Sequence, residues 1–213
     1  MVSDDVLELR KQPRSLVITG GGYIALELAT FFSALGTEVT VVEHNPRILK
    51  EVDEEVTSVL QSIYEQRGVR FLLGREIVRF ERTKEGVGVV VKKGEHRKEE
   101  HLKATHLLVA TGRAPNSAGL ALEKAGVRVN ERGAIEVNDF LETTTKGIYA
   151  MGDVTGRAPF AHAAKRESYI VMHNAFSKEK HAMPFSLVPW AVFTHPPIAA
   201  VGLSEAKAKE QKL

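Results

Sequence analysis

Residues 15–43 read SLVITGGGYIALELATFFSALGTEVTVVE, and this stretch decides the fold. Leu16, Val17 and Ile18 form a short apolar run with β-branched members, which is typical of a buried parallel strand. Three glycines follow, and apolar residues then recur at helical spacing up to a glycine that suits a helix C-terminus. A second β-branched run ends on Glu43. The stretch therefore predicts a strand, a glycine turn, a helix and a second parallel strand.

The glycine turn has the spacing of a dinucleotide-binding site. Gly20 permits the tight turn out of the strand, and Gly22 leaves room for the backbone to approach a pyrophosphate. Ala25 takes the third small position, where helix and strand pack closely, and the helix N-terminus offers unpaired N–H groups to the phosphates. Glu43 ends the second strand at the spacing expected of an acid that binds the adenosine ribose. The alternative is a glycine-rich turn in an unrelated α/β protein.

The acid at the end of the second strand also bears on which nicotinamide cofactor binds. A carboxylate there repels the 2′-phosphate of NADP, which such sites usually hold with an arginine instead. Arg47 follows Glu43 closely in the sequence, so NADP stays open as the less favoured alternative. The sequence therefore favours NAD(H).

The segment up to residue 110 continues as one α/β domain. Asp53 is placed to begin a second amphipathic helix that a glycine ends, and residues 69–73 form the third strand of the series. Two short strands flank the turn at residues 83–86, which indicates an antiparallel hairpin. The run HLLVA at residues 106–110 is again a buried strand. Residues 14–110 are thus predicted to form a Rossmann-like domain, a parallel sheet with helices in which an antiparallel β-meander replaces one crossover helix.

The residues after 110 contain fewer predicted helices and strands and more loops. Residues 111–185 are loop-rich and contain one predicted helix, from about Phe160 to Phe176. Residues 186–213 predict a strand, a turn, a strand and the start of a helix capped by Ser204. This tail is too short to close a domain by itself.

Composition excludes several classes of function. The 213 residues carry a net charge of +2, and the basic run at residues 96–98 is followed at once by Glu99 and Glu100, which argues against a nucleic-acid-binding patch. The chain has no cysteine, so it offers neither a disulfide nor a thiolate. Residues 1–12 are too charged for a signal peptide, and no apolar run reaches the length of a membrane span. We therefore expect a cytoplasmic protein that binds neither nucleic acid nor membrane.

Three motifs stand in a fixed order: GGGYIALE at residues 20–27, ATGRAPN at 110–116 and YAMGDVTG at 149–156. Their order and spacing resemble the pyridine nucleotide-disulfide oxidoreductases, flavoenzymes that include dihydrolipoamide dehydrogenase, mercuric reductase and glutathione reductase. The tail sequence VFTHPPIAAVGLSE at residues 192–205 is similar to the opening of that family's dimerisation domain.

The resemblance implies a division of labour along the chain. It implies that residues 14–110 form the NAD(P)-binding domain and that residues 111–185 form the C-terminal segment of a FAD-binding domain. Residues 186–213 then begin an incomplete dimerisation domain. The implied fold class is α/β, a Rossmann-like NAD-binding domain followed by a partial FAD-domain segment.

The resemblance also implies roles for individual residues. Tyr23 lies where several members place a tyrosine over the nicotinamide face of the flavin, and Glu27 matches a glutamate that approaches the flavin region. Simple packing and an exposed helix acid are the respective alternatives. Asp153 matches the aspartate that hydrogen-bonds the ribityl chain of FAD, and a turn that caps a helix is its alternative.

The other implied residues belong to the flavin side of the family pattern. Gly112 and Arg113 match the return of the chain from the NAD domain to the FAD domain, and Ala161 and His162 resemble an Ala-His pair beside the flavin ring. The full set predicted to bind cofactors comprises Gly20, Gly22, Tyr23, Ala25, Glu27, Glu43, Gly112, Arg113, Gly152, Asp153, Ala161 and His162.

Parts of the family pattern have no counterpart in these residues. The sequence lacks the first G-x-G-x-x-G segment, which in the family binds the ADP half of FAD. It also lacks the redox-active cysteine pair and the far end of the family pattern, which carries a His-Glu acid–base pair. We therefore expect a fragment with no catalytic residue, no metal site and no disulfide reductase activity of its own.

The expected parent is a homodimeric, NADH-dependent FAD disulfide oxidoreductase, most like dihydrolipoamide dehydrogenase. One alternative is a non-catalytic NAD-binding module that pairs with a separate chain carrying the FAD segment and the cysteines. Another is an NADH oxidase or a mercuric reductase-type flavoprotein.

Overall fold

The computed structural model describes residues 1–94 and 99–213 and has the predicted α/β fold class. The chain forms two compact units. Unit 1 comprises residues 1–112, 191–199 and 204–213, and unit 2 comprises residues 113–190 and 200–203. The basic run predicted to be a solvated turn, at residues 96–98, lies outside the described residues. Within the described ranges, no helix combines the length and the apolar character needed to cross a membrane.

A four-stranded parallel sheet forms the centre of unit 1. Its first strand, β1 (Ser15–Thr19), lies between β2 (Glu38–Glu43) and the last strand, β7 (His106–Val109). The fourth strand, β3 (Arg70–Leu73), pairs with the outer edge of β2. The predicted order of strands along the chain is confirmed, and the apolar run of β1 is buried, as expected for a strand covered on both faces.

Three helices accompany this sheet: α1 (Ser3–Val6), α2 (Tyr23–Ala34) and α3 (Glu54–Gln66). Helix α2 buries an apolar face that contains Ala25, Leu26, Ala29 and Phe32. The hydroxyl of Tyr64 in α3 donates to the Leu26 carbonyl oxygen at 2.8 Å and also contacts the Thr30 hydroxyl. These bonds hold α3 against α2, and burial raises the pKa of the Tyr64 hydroxyl.

The predicted meander is an antiparallel sheet of β4 (Glu76–Thr83), β5 (Gly86–Lys92) and β6 (Glu100–Ala104). The hairpin between β4 and β5 was predicted, but β6 was not, because its sequence EHLKA has a single large apolar residue and two exposed polar ones. One buried apolar cluster joins the meander to the parallel sheet; its members are Val17, Val42, Leu72, Val89, Val91 and Ala104.

The end of the chain contains β8 (Trp190–Val192), β9 (Ile198–Ala200) and α5 (Glu205–Glu210), in the predicted order. The Ser204 hydroxyl oxygen accepts a hydrogen bond from the N–H of Lys207, which confirms the predicted cap of α5. Asp53 precedes α3 as predicted, but its side chain does not cap that helix. Its Oδ1 accepts the Glu205 N–H at 3.0 Å instead.

Unit 2 is built mainly from loops around one long helix, α4 (Ala161–Phe176), which confirms the helix predicted there. Short 3₁₀ turns occur at Leu122–Ala125, Gly152–Thr155 and Phe185–Leu187. Two small apolar clusters form its core, one of Val127, Ile135 and Ala150 and one of Leu141, Ile170 and Met183.

Candidate functional site

The two outer glycines of the first turn lie in opposite environments. Gly20 has φ of +106°, and a Cβ at this position would lie 2.4 Å from the Ala110 carbonyl oxygen. Gly22 is the N-cap of α2 with an ordinary φ of −81°, and a Cβ there would meet nothing within 4 Å. Gly20 is therefore required by the turn itself, whereas Gly22 leaves open space beside the first N–H groups of the helix.

The middle glycine was not singled out from the sequence. The Gly21 N–H donates to Glu43 Oε2 at 2.5 Å, and a Cβ on Gly21 would lie 2.9 Å from Glu43 Cγ. A side chain at this position would therefore displace the acid that ends β2. The sequence did carry a sign of this role. The dinucleotide-binding pattern requires only the first and third glycines of the run, so the middle glycine needs a separate reason.

Glu43 is held by more donors than its position in the motif suggested. The residue is 6% exposed, and its Oε1 accepts both the backbone N–H of Asn45 at 2.7 Å and the side-chain Nδ2 of Asn45 at 2.6 Å. The imidazole Nδ1 of His44 lies 3.0 Å from the same oxygen. The carboxylate is thus fixed on both oxygens at the carboxyl end of a parallel strand, where ligands of such sheets bind.

The loop that follows Glu43 is bonded to the glycine turn and to itself. The N–H of Leu49 donates to the Gly21 carbonyl oxygen at 2.9 Å. The Arg47 guanidinium donates to the carbonyl oxygens of Val52, at 2.8 Å, and Lys50, at 2.7 Å. Arg47, the residue for which NADP was retained as an alternative, is therefore hydrogen-bonded to backbone carbonyl oxygens of its own loop.

Helix α2 places the remaining residues predicted on the NAD side. Ala25 is fully buried, in keeping with the small residue expected where helix and strand pack. Tyr23 is 36% exposed, and Glu27 lies one turn further along the same face of the helix. Glu27 Oε1 accepts the Phe193 N–H at 2.9 Å. Its role towards a flavin stays a prediction.

Gly112 and Arg113 are both exposed, and Gly112 has φ of +145°. Gly112 ends the first part of unit 1 and Arg113 begins unit 2. The change of unit thus falls at the residues predicted to lead from one cofactor domain to the other, although that functional boundary stays a prediction.

The predicted flavin turn in unit 2 is organised by a buried acid. Gly152 has φ of +78°, and its N–H donates to Glu167 Oε2 at 2.5 Å. Asp153, the next residue, is exposed. Glu167 is fully buried, and its Oε1 has no hydrogen-bond partner among the described residues. Burial raises the pKa of the Glu167 carboxyl, and the hydrogen bond from Gly152 partly opposes this effect.

Glu167 was missed in the sequence because a glutamate in a helix is ordinarily exposed. The signal lay in its spacing along α4, where the buried residues are Ala163, Glu167, Ile170 and Asn174. Two polar residues thus occupy core positions of an amphipathic helix. A buried polar group at a core position marks a specific hydrogen-bond requirement, which Glu167 meets at Gly152.

Ala161 and His162 are the first two residues of α4, and both are exposed. His162 Nε2 lies 2.7 Å from the Pro189 carbonyl oxygen, so this nitrogen carries the proton. The imidazole also stacks on the Phe160 ring, with centroids 5.5 Å apart. The ring is therefore held in one orientation within unit 2.

Unit 1 thus combines two features that suit a dinucleotide. The N-terminus of α2 offers backbone N–H groups next to open space at Gly22, which suits phosphate oxygens. The fixed carboxylate of Glu43 is an acceptor for hydroxyl groups and repels additional phosphate. Within residues 1–94 and 99–213, no group of three or more histidine, aspartate or glutamate side chains is arranged to hold a metal ion.

Comparison with known proteins gives one family. A profile described as "Pyridine nucleotide-disulphide oxidoreductase" matches residues 1–168. The chain is 38% identical over 198 residues to a dihydrolipoyl dehydrogenase of Thermus scotoductus, covering 93% of the chain and 42% of that protein. It is 36% identical to a mercuric reductase of Staphylococcus aureus, covering 99% of the chain and 38% of that protein.

Solved structures show the same fold. The flavoprotein disulfide reductase RclA of Escherichia coli, in its Cu(II) complex, superposes with a TM-score of 0.88 at 35% identity. The superposition covers 99% of this chain and 46% of RclA. The chain therefore spans less than half the length of the relatives it matches.

Proposed function

The chain belongs to the pyridine nucleotide-disulphide oxidoreductase family, and on that premise we propose that it supplies the pyridine-nucleotide site of an NADH-dependent FAD disulfide oxidoreductase. Members of the family use FAD and nicotinamide dinucleotides and typically form homodimers. The single observation that carries the proposal is the open space at Gly22, which lies between the N-terminal N–H groups of α2 and a Glu43 carboxylate held on both oxygens.

The residues of unit 1 have distinct tasks in this proposal. The pyrophosphate takes the open space at Gly22, where the N-terminal N–H groups of α2 neutralise its charge. Glu43 accepts the hydroxyls of the adenosine ribose. Tyr23, partly exposed on the first turn of the helix, covers the nicotinamide face of the flavin.

The choice of NAD(H) over NADP(H) follows from the charges near the ribose. Glu43 presents a buried carboxylate that repels a 2′-phosphate. The guanidinium of Arg47, the nearby arginine of the loop, donates to the carbonyl oxygens of Lys50 and Val52. Because a carboxylate lies at the ribose and these bonds hold Arg47 on its own loop, NADH is the expected partner.

The residues of unit 2 suit part of a FAD site. The exposed carboxylate of Asp153 is available to accept ribityl hydroxyls, and Ala161 and His162 present a small side chain and a fixed imidazole next to one another. Gly152 shapes the turn before Asp153 and donates no hydrogen bond to the flavin, because its N–H is already bonded to Glu167. Gly112 and Arg113 complete the proposed flavin set. When bound, FAD supplies the electron transfer between the nicotinamide and a disulfide.

Binding of nucleotide tests the proposal on the 213-residue chain itself. Calorimetric titration with NADH is expected to give a saturable, one-site isotherm. Gly22→Ala is expected to fold, because its Cβ meets nothing within 4 Å, and to weaken binding at least tenfold by occupying the phosphate position. Gly88→Ala in β5 is the matched control, since the atoms nearest to its Cβ would be side-chain atoms of Glu81 and Thr83. Absence of NADH binding by the unchanged chain would refute the proposed site.

We further propose that the parent enzyme acts as a dihydrolipoamide dehydrogenase. The chain contains no cysteine, so we expect no turnover of lipoamide or glutathione disulfide by the chain alone. The acceptor is tested on the parent enzyme by following NADH oxidation with lipoamide, glutathione disulfide or mercuric ion as the acceptor. Turnover with lipoamide and not with the other two is expected. Turnover with mercuric ion or glutathione disulfide instead would assign the other activity.

A further inference from the structure

Asn45 makes two hydrogen bonds to one oxygen of Glu43, and the sequence motif assigns it no function. Its backbone N–H and its side-chain Nδ2 both donate to Glu43 Oε1, at 2.7 and 2.6 Å. We propose that Asn45 is a positioning residue for cofactor selection: it anchors Glu43 by Oε1 and so commits Oε2 to the adenosine ribose. The inference rests on the proposed NAD(H) site and adds a residue that tunes its discrimination against NADP(H).

The hydrogen-bond capacity of the carboxylate separates the two oxygens. An ionised carboxyl group has about four lone-pair positions, two on each oxygen. On Oε1 both are used by Asn45, with His44 Nδ1 close by at 3.0 Å. On Oε2 the Gly21 N–H is the only donor among residues 1–94 and 99–213. One acceptor position therefore stays open on Oε2, at the oxygen that lies next to the glycine turn.

The side chain of Asn45 can be removed without releasing the loop that carries it. Its carbonyl oxygen accepts the Gly74 N–H at 2.9 Å, and its own backbone N–H bonds Glu43 whatever the side chain. Leu49 additionally ties the loop to the Gly21 carbonyl. Asn45→Ala therefore deletes one hydrogen bond to Glu43 Oε1 and leaves the path of the backbone in place.

Loss of this anchor affects the two cofactors unequally. Without the Nδ2 bond, the Glu43 side chain gains rotational freedom and holds the ribose hydroxyls less well. The same freedom lets the carboxylate turn away from a 2′-phosphate, which reduces the repulsion. NADH binding is thus expected to weaken by about five- to tenfold, which is less than direct loss of a hydrogen bond to a charged group would cost, because the lost bond acts on the cofactor through Glu43. NADPH binding is expected to change by less than about twofold, because the weaker ribose contact and the reduced repulsion oppose each other.

The experiment compares dissociation constants for NADH and NADPH by calorimetry in four forms of the full chain. These are the unchanged chain, Asn45→Ala, Asn45→Ser and Asn116→Ala. The serine hydroxyl restores a shorter donor and is expected to recover part of the selectivity. Asn116, which is exposed and lies in unit 2, provides the matched asparagine control. Each variant is first checked for an unchanged melting temperature, and Asn45→Ser carries the test if Asn45→Ala does not fold.

We expect the ratio of the NADPH to the NADH dissociation constant to fall about fivefold in Asn45→Ala. The same ratio should be unchanged in Asn116→Ala. An unchanged ratio in a folded Asn45 variant overturns the inference and leaves the proposed function standing. Equal weakening of both cofactors also overturns it, because Asn45 would then support the turn without selecting between them. Failure of the unchanged chain to bind NADH overturns the proposed function together with this inference.

Discussion

Each unit of this chain contains a glycine turn in which a backbone N–H donates to a buried glutamate, but the two glutamates differ in their surroundings. In unit 1 the Gly21 N–H donates to Glu43 Oε2 at 2.5 Å, and in unit 2 the Gly152 N–H donates to Glu167 Oε2 at 2.5 Å. The two acids differ in their second oxygen. Glu43 Oε1 accepts two hydrogen bonds from Asn45, whereas Glu167 Oε1 is buried with no partner among the described residues.

On the proposed function, this difference separates an acid that binds a ligand from an acid that supports a turn. Glu43 lies at the carboxyl end of a parallel strand, and its donors hold a charged group in place. Glu167 lies in the middle of α4, and burial raises its pKa by more than the Gly152 hydrogen bond and the charge of Arg157 lower it. A short N–H to carboxylate bond is therefore not by itself the mark of a binding site. The partners of the other oxygen decide.

The largest expected effect comes from alanine at the first glycine of each turn. Gly20→Ala places a Cβ 2.4 Å from the Ala110 carbonyl oxygen at a φ of +106°, so we expect a loss of about 3 kcal/mol or more in the free energy of unfolding. Gly152→Ala meets only Ala164 Cβ at 3.4 Å, and strain at its φ of +78° should cost about 1–2 kcal/mol. Urea unfolding, followed by amide hydrogen exchange in each unit, measures both. Equal losses would show that the Ala110 contact relaxes.

The same isosteric substitution should then destabilise the chain at Glu43 and leave its stability nearly unchanged at Glu167. In Glu43→Gln the new amide NH₂ faces either the Gly21 N–H or the two Asn45 donors, so a donor opposes a donor in either orientation. We expect a loss of about 2 kcal/mol in stability and at least tenfold weaker NADH binding. Glu54→Gln on the exposed face of α3 is the control. A fully stable Glu43→Gln chain that binds NADH normally would contradict the assigned roles of both oxygens.

Glu167→Gln should instead leave stability at neutral pH unchanged within about 1 kcal/mol, because its carbonyl oxygen still accepts the Gly152 N–H and no donor among the described residues bonds the position that the amide NH₂ takes. Loss of about 2 kcal/mol in this variant, as at Glu43, would remove the distinction between the two acids.

The smallest effect is the pH dependence that Glu167 confers. Because its pKa is raised in the folded chain, its stabilising contribution is fully present below the unfolded pKa and is lost as pH rises through the folded value. The unchanged chain should therefore lose stability relative to Glu167→Gln as pH rises from 4.5 towards neutrality. Urea midpoints across this range measure the difference, with the exposed Glu131→Gln as control. Parallel curves for the unchanged chain and Glu167→Gln would mean that Glu167 does not titrate differently on folding.

The features predicted from the sequence are those that depend on neighbouring residues in the chain. The features that were missed depend on contacts between distant residues. The strand, glycine turn, helix and acid of residues 15–43 were predicted because regular spacing and the special φ of Gly20 are local properties. Strand β6 was missed because it is stabilised by pairing with β5 rather than by its own composition.

The predicted site residues show the same limit. Position along the chain pointed to Glu43, but not to Asn45 or Gly21, which matter through their contacts with its two oxygens. Glu167 is fifteen residues from Gly152, and only the packing of α4 beneath the turn brings the two together. Roles that depend on a bound nucleotide, such as those of Tyr23 and Asp153, stay predictions.

Hydrogen exchange with and without saturating NADH tests the central claim most directly, because it reports on both turns at once. We predict slower exchange of the amides in residues 20–26 and 43–47 and unchanged exchange in residues 150–156. Protection confined to the turn in unit 2, or no protection at residues 20–26, would contradict the assignment of the pyridine-nucleotide site to the Gly20–Glu43 stretch.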